Sequence, residues 1–262
     1  MIGPTPLLDF FKRGEVDRET KMLAAEGGLA PRAAEQLSIL VMLLEDPDAE
    51  IRATAEETIN RIPEETLKAF LANSDVPIGL REFFADRGIF PDEIPQIQVE
   101  NDAEPEPPLI EPDGEADADE NETQESATAR VAKMAFTERL KAAVKGSREM
   151  RSILIRDPNK MISAAVLSSP KLTENEIASF ARMASLSEEV LRIIGNNRQW
   201  TKSYKVVLGL CKNPKTPLAL ALNFMGRLNS SDLKQLSVDR NVPEGLRVAA
   251  RKKVLANQSG KA

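Results

Sequence analysis

Helix-start residues recur every 28 positions in the second half of this chain, and that register limits the fold more than any other feature. Asp157, Ser185, Asn213 and Asn241 are spaced by 28. Each is a residue type that caps a helix by accepting a hydrogen bond from an orphan N–H of the first turn. Pro158 and Pro214 follow two of them, at the first helical position, where a missing N–H costs nothing. Ser185 with Glu188 and Asn241 with Glu244 have capping-box spacing. Five residues past the caps stand Ile162, Val190, Leu218 and Leu246; eight past, Ala165, Ile193, Ala221 and Ala249; nine past, Val166, Ile194, Leu222 and Ala250. These spacings share one helical face, so the pattern predicts that they are buried. A second start recurs at Thr173, Thr201 and Asn229, with Leu172 and Ile177, or Leu228 and Leu233, placed as hydrophobic staples. Phe180, Leu208 and Leu236 continue the second buried face. The unit reads as helix, short turn, helix.

The first block carries the same pattern more loosely, about 110 residues earlier. Asp46-Pro47 matches Asp157-Pro158, Ile51 matches Ile162, Ile62 matches Leu172, and Leu67 with Phe70 matches Ile177 with Phe180. Val76-Pro77-Ile78-Gly79-Leu80-Arg81 echoes Val242-Pro243-Glu244-Gly245-Leu246-Arg247. A helix pair of this kind cannot bury its apolar face alone and completes its core against its neighbours. The expected fold is therefore all-α: an α-solenoid of short helix-turn-helix repeats, about 28 residues each, in two blocks.

The segment DPDAEIRATAEETI (46–59) resembles a HEAT-type repeat, with an Asp-Pro turn entering a helix that carries an Ile-Arg pair. The segment NPKTPLALAL (213–222) resembles the bacterial leucine-rich repeat variant and HEAT-like proteins. Together the resembling segments cover most of the chain outside 89–129. The resemblance implies a scaffold that binds proteins or, less often, nucleic acid, and it brings no catalytic residues with it.

Charge divides the chain into three. Residues 1–88 hold 10 Lys/Arg and 17 Asp/Glu, 89–129 hold no basic residue and 14 acidic ones, and 130–262 hold 25 basic and 10 acidic. The expected domains follow: 1–88, an N-terminal HEAT-like block; 89–129, an acidic disordered linker; and 130–262, a basic C-terminal block. The linker is rich in Pro, Glu, Asp and Gly and has almost nothing to bury, so it is expected to be extended and self-repelling. Pro107-Pro108-Leu109-Ile110-Glu111-Pro112 is a small apolar island inside it. Such islands serve either as docking motifs or as incidental clusters in a spacer. Tethered to a block of opposite charge, the linker is also placed to cover the basic surface until a stronger anion displaces it.

Composition removes whole classes of chemistry. There is no histidine, which excludes Ser/His/Asp and Cys/His nucleophilic catalysis and imidazole-ligated metals. The single cysteine, Cys211, makes no internal disulfide, which points to a reducing compartment. Cys211 shares a repeat column with Met183, where a small buried hydrophobe serves. The paired carboxylates Glu56-Glu57, Glu64-Glu65 and Glu188-Glu189 fall at starts or exposed sides of predicted helices. No phosphate loop or dinucleotide fingerprint is present. The expectation is a cytoplasmic non-enzyme with no cofactor, no metal, no small-molecule substrate and no membrane segment.

What remains is a binding surface. Arg198, Trp200, Lys202, Tyr204 and Lys205 place the only Trp and the only Tyr among three cations, a combination that grips phosphates while stacking bases. The alternative for Trp200 is a staple at a helix entry, since it shares the column of Leu172 and Leu228. Arg156, Lys212 and Arg240 share one repeat column and Lys171 and Arg227 another, which predicts basic stripes, although helix C-termini also favour cations there. The surface expected to meet a partner therefore runs through Arg198, Trp200, Lys202, Tyr204, Lys205, Lys212 and Arg240. The partner expected first is a protein, acidic in character; nucleic acid or another polyanion is the alternative.

Overall fold

A computed structural model describes residues 5–29, 31–73, 76–92, 108–110 and 124–259. Among them there are sixteen α-helices and no strand. The all-α expectation is met, and the helices fall into two compact units, Met1–Leu172 and Thr173–Ala262. This division lies inside the basic half, whereas charge alone placed the boundary in the acidic segment. By sequence the first unit carries a net charge of -14 and the second +8.

The first unit contains α1 (Pro6–Lys12), α2 (Arg18–Ala25), α3 (Ala33–Leu43), α4 (Ala49–Asn60), α5 (Glu64–Leu71), α6 (Ile78–Asp86), α7 (Gln124–Val131), α8 (Phe136–Lys145), α9 (Arg148–Leu154) and α10 (Lys160–Ser168). Helix α3, AAEQLSILVML, is its hub and packs on α1, α2, α4 and α6. The later helices pack α7 on α9, α8 on α9 and α10, and α10 on α9. Helix α1 lies against α10, with Leu7, Leu8, Phe10 and Phe11 buried. Arg32 adds a tie across the same junction, donating from Nη1 to Leu167 O at 3.2 Å. The two charge-defined blocks are therefore joined through α1, α3 and α10. Because α1 and α8 both cover α10, every residue from Met161 to Ser168 is buried, where the repeat pattern alone predicted one buried face.

Most of the acidic segment, 93–107 and 111–123, lies outside the described residues, and so does its expected extended character. Its last six positions are helical, because α7 begins at Gln124, and Ala127 is completely buried in a unit where α7 packs on α9.

The second unit contains α11 (Glu174–Arg182), α12 (Glu188–Asn196), a 3-10 turn (Trp200–Lys202), α13 (Tyr204–Lys212), α14 (Leu218–Met225), α15 (Ser230–Val238) and α16 (Glu244–Ser259). Helix α11 packs on α13 and α13 on α15, while α14 packs on both α13 and α16. The approach of α13 to α11 depends on Gly209: a side chain there would meet Ala181 Cβ at 3.0 Å. Val207, Cys211, Leu233, Leu236, Leu246 and Ala250 share the core at the C-terminal end of this unit.

The helix starts are close to the predicted register but not on it. Asn159 caps α10 and Ser187 caps α12, each two residues after the expected Asp157 and Ser185. Asp157 and Asn213 instead close Asx turns, accepting from Asn159 N at 2.8 Å and Lys215 N at 3.0 Å. Pro158 and Pro214 consequently sit in these turns, and α14 and α16 begin only at Leu218 and Glu244. A short polar side chain that bonds its own backbone two residues on delays the helix by a few residues. Of the second starts, Thr173 caps α11 in a full capping box with Glu176, and Asn229 caps α15 through Asp232 N. Thr201 does not start a helix: it lies in the 3-10 turn with Oγ1 donating to Asn197 O at 2.8 Å.

Candidate partner-binding surface

All seven residues expected to meet a partner lie in the second unit. Asn197 builds the approach to them: its Oδ1 accepts from Gln199 N at 2.8 Å and Trp200 N at 3.3 Å, fixing the 3-10 turn. Trp200 is consequently held half-buried, beside the buried Thr201, while Arg198 and Lys202 are exposed. Lys202 also presents its carbonyl to Arg227 Nη2 at 3.4 Å.

Helix α13 carries the next three. Tyr204 opens it and is 38% exposed, but its hydroxyl donates to Asp232 Oδ2 and accepts from Asn229 N at 3.2 Å. Partial desolvation, followed by the bond to the Asp232 carboxylate, holds this phenol above its ordinary pKa. Lys212, at the other end of α13, donates to Gln235 Oε1 at 3.0 Å and lies 3.9 Å from Asp232 Oδ1. Tyr204 and Lys212 thus converge on Asp232 of α15, which ties the two helices together. Lys205 and Arg240 are exposed. The structure therefore separates the set: Arg198, Lys202, Lys205 and Arg240 reach solvent, while Tyr204 and Lys212 are engaged in holding α13 to α15.

Two residues that the repeat columns placed in the core are on the surface. Leu218 is 42% exposed and Leu222 37%, whereas their column partners Ile162, Val190, Ile194 and Leu246 are buried. The reason is coverage. Helix α14 buries Ala221 and Met225, and the edge bearing Leu218 and Leu222, one turn apart, is left open among the described residues. Leu218 lies against Gly245 at the start of α16. Val248, three residues on, is 42% exposed, and Arg251 and Lys252 follow it by one turn, both exposed. An aliphatic edge flanked by cations is what a periodicity argument misses, because the same residues read as core.

Cys211 is fully buried, and burial pushes its thiol up to about 12. The thiolate is the reactive form. In the native chain at pH 8, Cys211 is expected to resist an aromatic disulfide reagent for hours and to react within minutes once denaturant is added; rapid native labelling would contradict the packing role.

The paired carboxylates stand at helix surfaces. Glu64 pairs with Lys68 at 2.7 Å and Glu188 with Arg192 at 2.5 Å, each one turn on, while Glu56 is held by Arg87 at 2.8 Å. Among the described residues no group of three or more acidic or cysteine side chains is placed to hold a metal ion, and no helix is long and apolar enough to cross a membrane.

Glu35 and Gln36, which are 1% and 2% exposed on α3, lie outside the 28-residue pattern. The signal was available: two adjacent polar residues interrupt a helix otherwise made of Ala, Leu, Ile, Val, Met and one Ser. Glu35 Oε1 accepts from Leu7 N at 2.8 Å and Leu8 N at 2.9 Å, so it satisfies orphan N–H groups in the first turn of α1. Gln36 makes three hydrogen bonds to residues 109 and 110.

Comparison with protein-family models, with curated proteins and with solved structures finds no match for this chain.

Proposed function

We propose that this chain is a non-enzymatic helical-repeat adaptor whose second unit binds an acidic, amphipathic segment of a partner protein. The observation that carries the reading is the open edge of α14, where Leu218 and Leu222 continue toward Val248 on α16 beside Arg251 and Lys252. Exposed aliphatic residues gathered on adjoining helices mark interaction surfaces when polar residues rim them. An amphipathic helix with acidic flanks satisfies both parts of such a surface. The alternating packing of α11, α13 and α15, with α14 and α16 beside them, supports a short solenoid as the frame.

Nucleic acid is the second reading, and the net +8 of this unit favours it. Against it, the Tyr204 hydroxyl is taken by Asp232, Trp200 is half-buried, and a carboxylate stands among the expected phosphate contacts.

Titration of the full chain, read through Trp200, separates the two. An acidic amphipathic peptide is expected to saturate, with affinity falling less than about tenfold between 50 and 200 mM salt, whereas a polyphosphate contact of six or more charges loses about a thousandfold. Leu222→Asp is expected to weaken the peptide by at least about tenfold, the scale of one buried aliphatic anchor. Binding to a mixed-sequence single strand alone, with the steep salt slope, would replace the adaptor reading with the second one. An unaltered affinity in Leu222→Asp would remove the α14 edge from it.

A further inference from the structure

The apolar island in the acidic segment has a built seat. Ile110 is 7% exposed in the first unit, although the residues around it in sequence are Pro, Glu and Asp. Gln36 holds it entirely through the main chain: Nε2 donates to Ile110 O at 2.9 Å, and Oε1 accepts from Leu109 N at 2.9 Å and Ile110 N at 3.1 Å. One carboxamide thus takes two successive N–H groups and the carbonyl that follows them, main-chain groups that converge because the segment bends at Leu109. None of these bonds reads a side chain.

Selectivity comes from the floor of the seat. Gly27 closes α2 at φ +77°, with its N–H bonded to Ala24 O at 3.0 Å and the next N–H, of Gly28, to Leu23 O at 2.8 Å, a Schellman ending that favours glycine. The Ile110 methyl Cγ2 sits directly over it: a Cβ on Gly27 would stand 3.1 Å from that methyl and 3.5 Å from Thr58 Cγ2. Gly27 is therefore needed twice, for its backbone and for the space above it. The occupant that fits is a β-branched aliphatic residue that follows a bend in the main chain.

Gln36 also shows that the seat is made to be filled. A buried carboxamide costs about 1–3 kcal/mol when left unsatisfied, and among the described residues this one bonds only to residues 109 and 110.

We infer that Gln36, Gly27 and Thr58 form a docking groove for a peptide whose main chain bends just before a β-branched aliphatic residue. The chain's own Leu109-Ile110 covers the groove in cis, and a partner that supplies the same chemistry in trans displaces it. The occupant is read by its main chain and one side chain, so exchange requires no wider sequence match. The tether sets the threshold: a resident held on the same chain acts at an effective concentration near millimolar, so a free peptide competes only when the resident is weakened or the partner binds through a second site.

The test uses the full chain and a fluorescently labelled peptide of residues 105–113, PEPPLIEPD, followed by anisotropy. Ile110→Asp vacates the groove and is expected to bind the peptide at least tenfold more tightly than the unaltered chain does. Adding Gln36→Leu to Ile110→Asp is expected to abolish that binding while circular dichroism and the thermal transition remain those of a folded chain. A chain in which 105–113 is replaced by Gly and Ser at equal length provides a second vacated groove. Equal binding to covered and vacated grooves, or no binding to either vacated form, overturns the inference. So does loss of folding in both vacated chains, because the segment is then a part of the core and not an exchangeable occupant.

Discussion

Replacing Asn213 by alanine is expected to lower the stability of the second unit by about 3 kcal/mol, the sum of three buried hydrogen bonds at about 1 kcal/mol each. Asn213 is 2% exposed and uses its whole carboxamide. Nδ2 donates to Ala181 O at 2.9 Å and Met183 O at 3.0 Å, and Oδ1 accepts from Lys215 N at 3.0 Å. The two carbonyls lie at the end of α11, where a helix leaves its last acceptors without partners. One side chain therefore closes α11 and shapes the turn before α14. Asn213→Asp has nearly the same volume but is expected to be at least as damaging at neutral pH, because a carboxylate then faces two carbonyl oxygens and has no proton to give. It is expected to recover partly in acid, as the carboxyl protonates. Denaturant titration followed by the fluorescence of Trp200, the only Trp and part of this unit, reports the change. A midpoint moved by less than the equivalent of about 0.5 kcal/mol in Asn213→Ala would show that water replaces the amide without cost.

The second large effect concerns pH. Glu35 is pushed up to about 7 from 4.5, chiefly by burial, against the opposing influence of the Leu8 N–H, the Ser168 hydroxyl, the Arg32 charge and the Leu7 N–H. The Ser168 hydroxyl gives its hydrogen bond to Ala164 O at 3.2 Å, and among the described residues Glu35 Oε2 has no hydrogen-bond partner, so burial dominates. Below pH 4.5 folded and unfolded chains both hold this proton, and the group costs nothing. Between 4.5 and about 7 the unfolded chain releases it while the folded chain retains it, so stability falls with rising pH, by about 3 kcal/mol in all for a fully buried carboxyl. Asp46 and Glu56, both held below their ordinary values, act in the opposite sense, but at lower pH.

Glu35→Gln keeps the acceptor for Leu7 and Leu8 and removes the ionisation. It is expected to flatten the decline between pH 5 and 8 and to be more stable than the unaltered chain at pH 8 by about 1–3 kcal/mol, with little difference at pH 4.5. Thermal unfolding across that range measures it. A variant with the same pH slope as the parent would assign the slope to other groups. Because Glu35 sits where α3 meets α1, and α1 packs on α10, the junction between the two halves of the first unit is where alkaline loosening is expected to begin.

Much of the architecture was present in the order of the residues. Helical class follows from local spacing and capping chemistry, which act within a few residues, and Thr173 with Glu176 or Asn229 with Asp232 perform as their types dictate. The 28-residue register placed most core positions correctly, including Ile162, Ile177, Phe180, Leu236 and Leu246. It misplaced the helix starts after Asp157 and Asn213 because a polar side chain chooses between capping a helix and closing a turn, and the flanking geometry decides which.

Of the candidate surface, the charges were legible and the roles were not. Arg198, Lys205 and Arg240 are exposed as their chemistry suggests, while Tyr204 and Lys212 are turned toward Asp232, a residue 28 and 20 positions away. Leu218 and Leu222 carry the same pattern as their buried counterparts and differ in being left partly open among the described residues. Composition and periodicity thus determined that this chain is helical and charge-segregated, because those properties are set by neighbours along the chain. Tertiary structure alone decided that α1 closes on α10, that α14 keeps an open edge, and that Gln36 seats Ile110 from 74 residues away. Each of these depends on which surfaces meet, and burial is a property of the partner surface as much as of the residue.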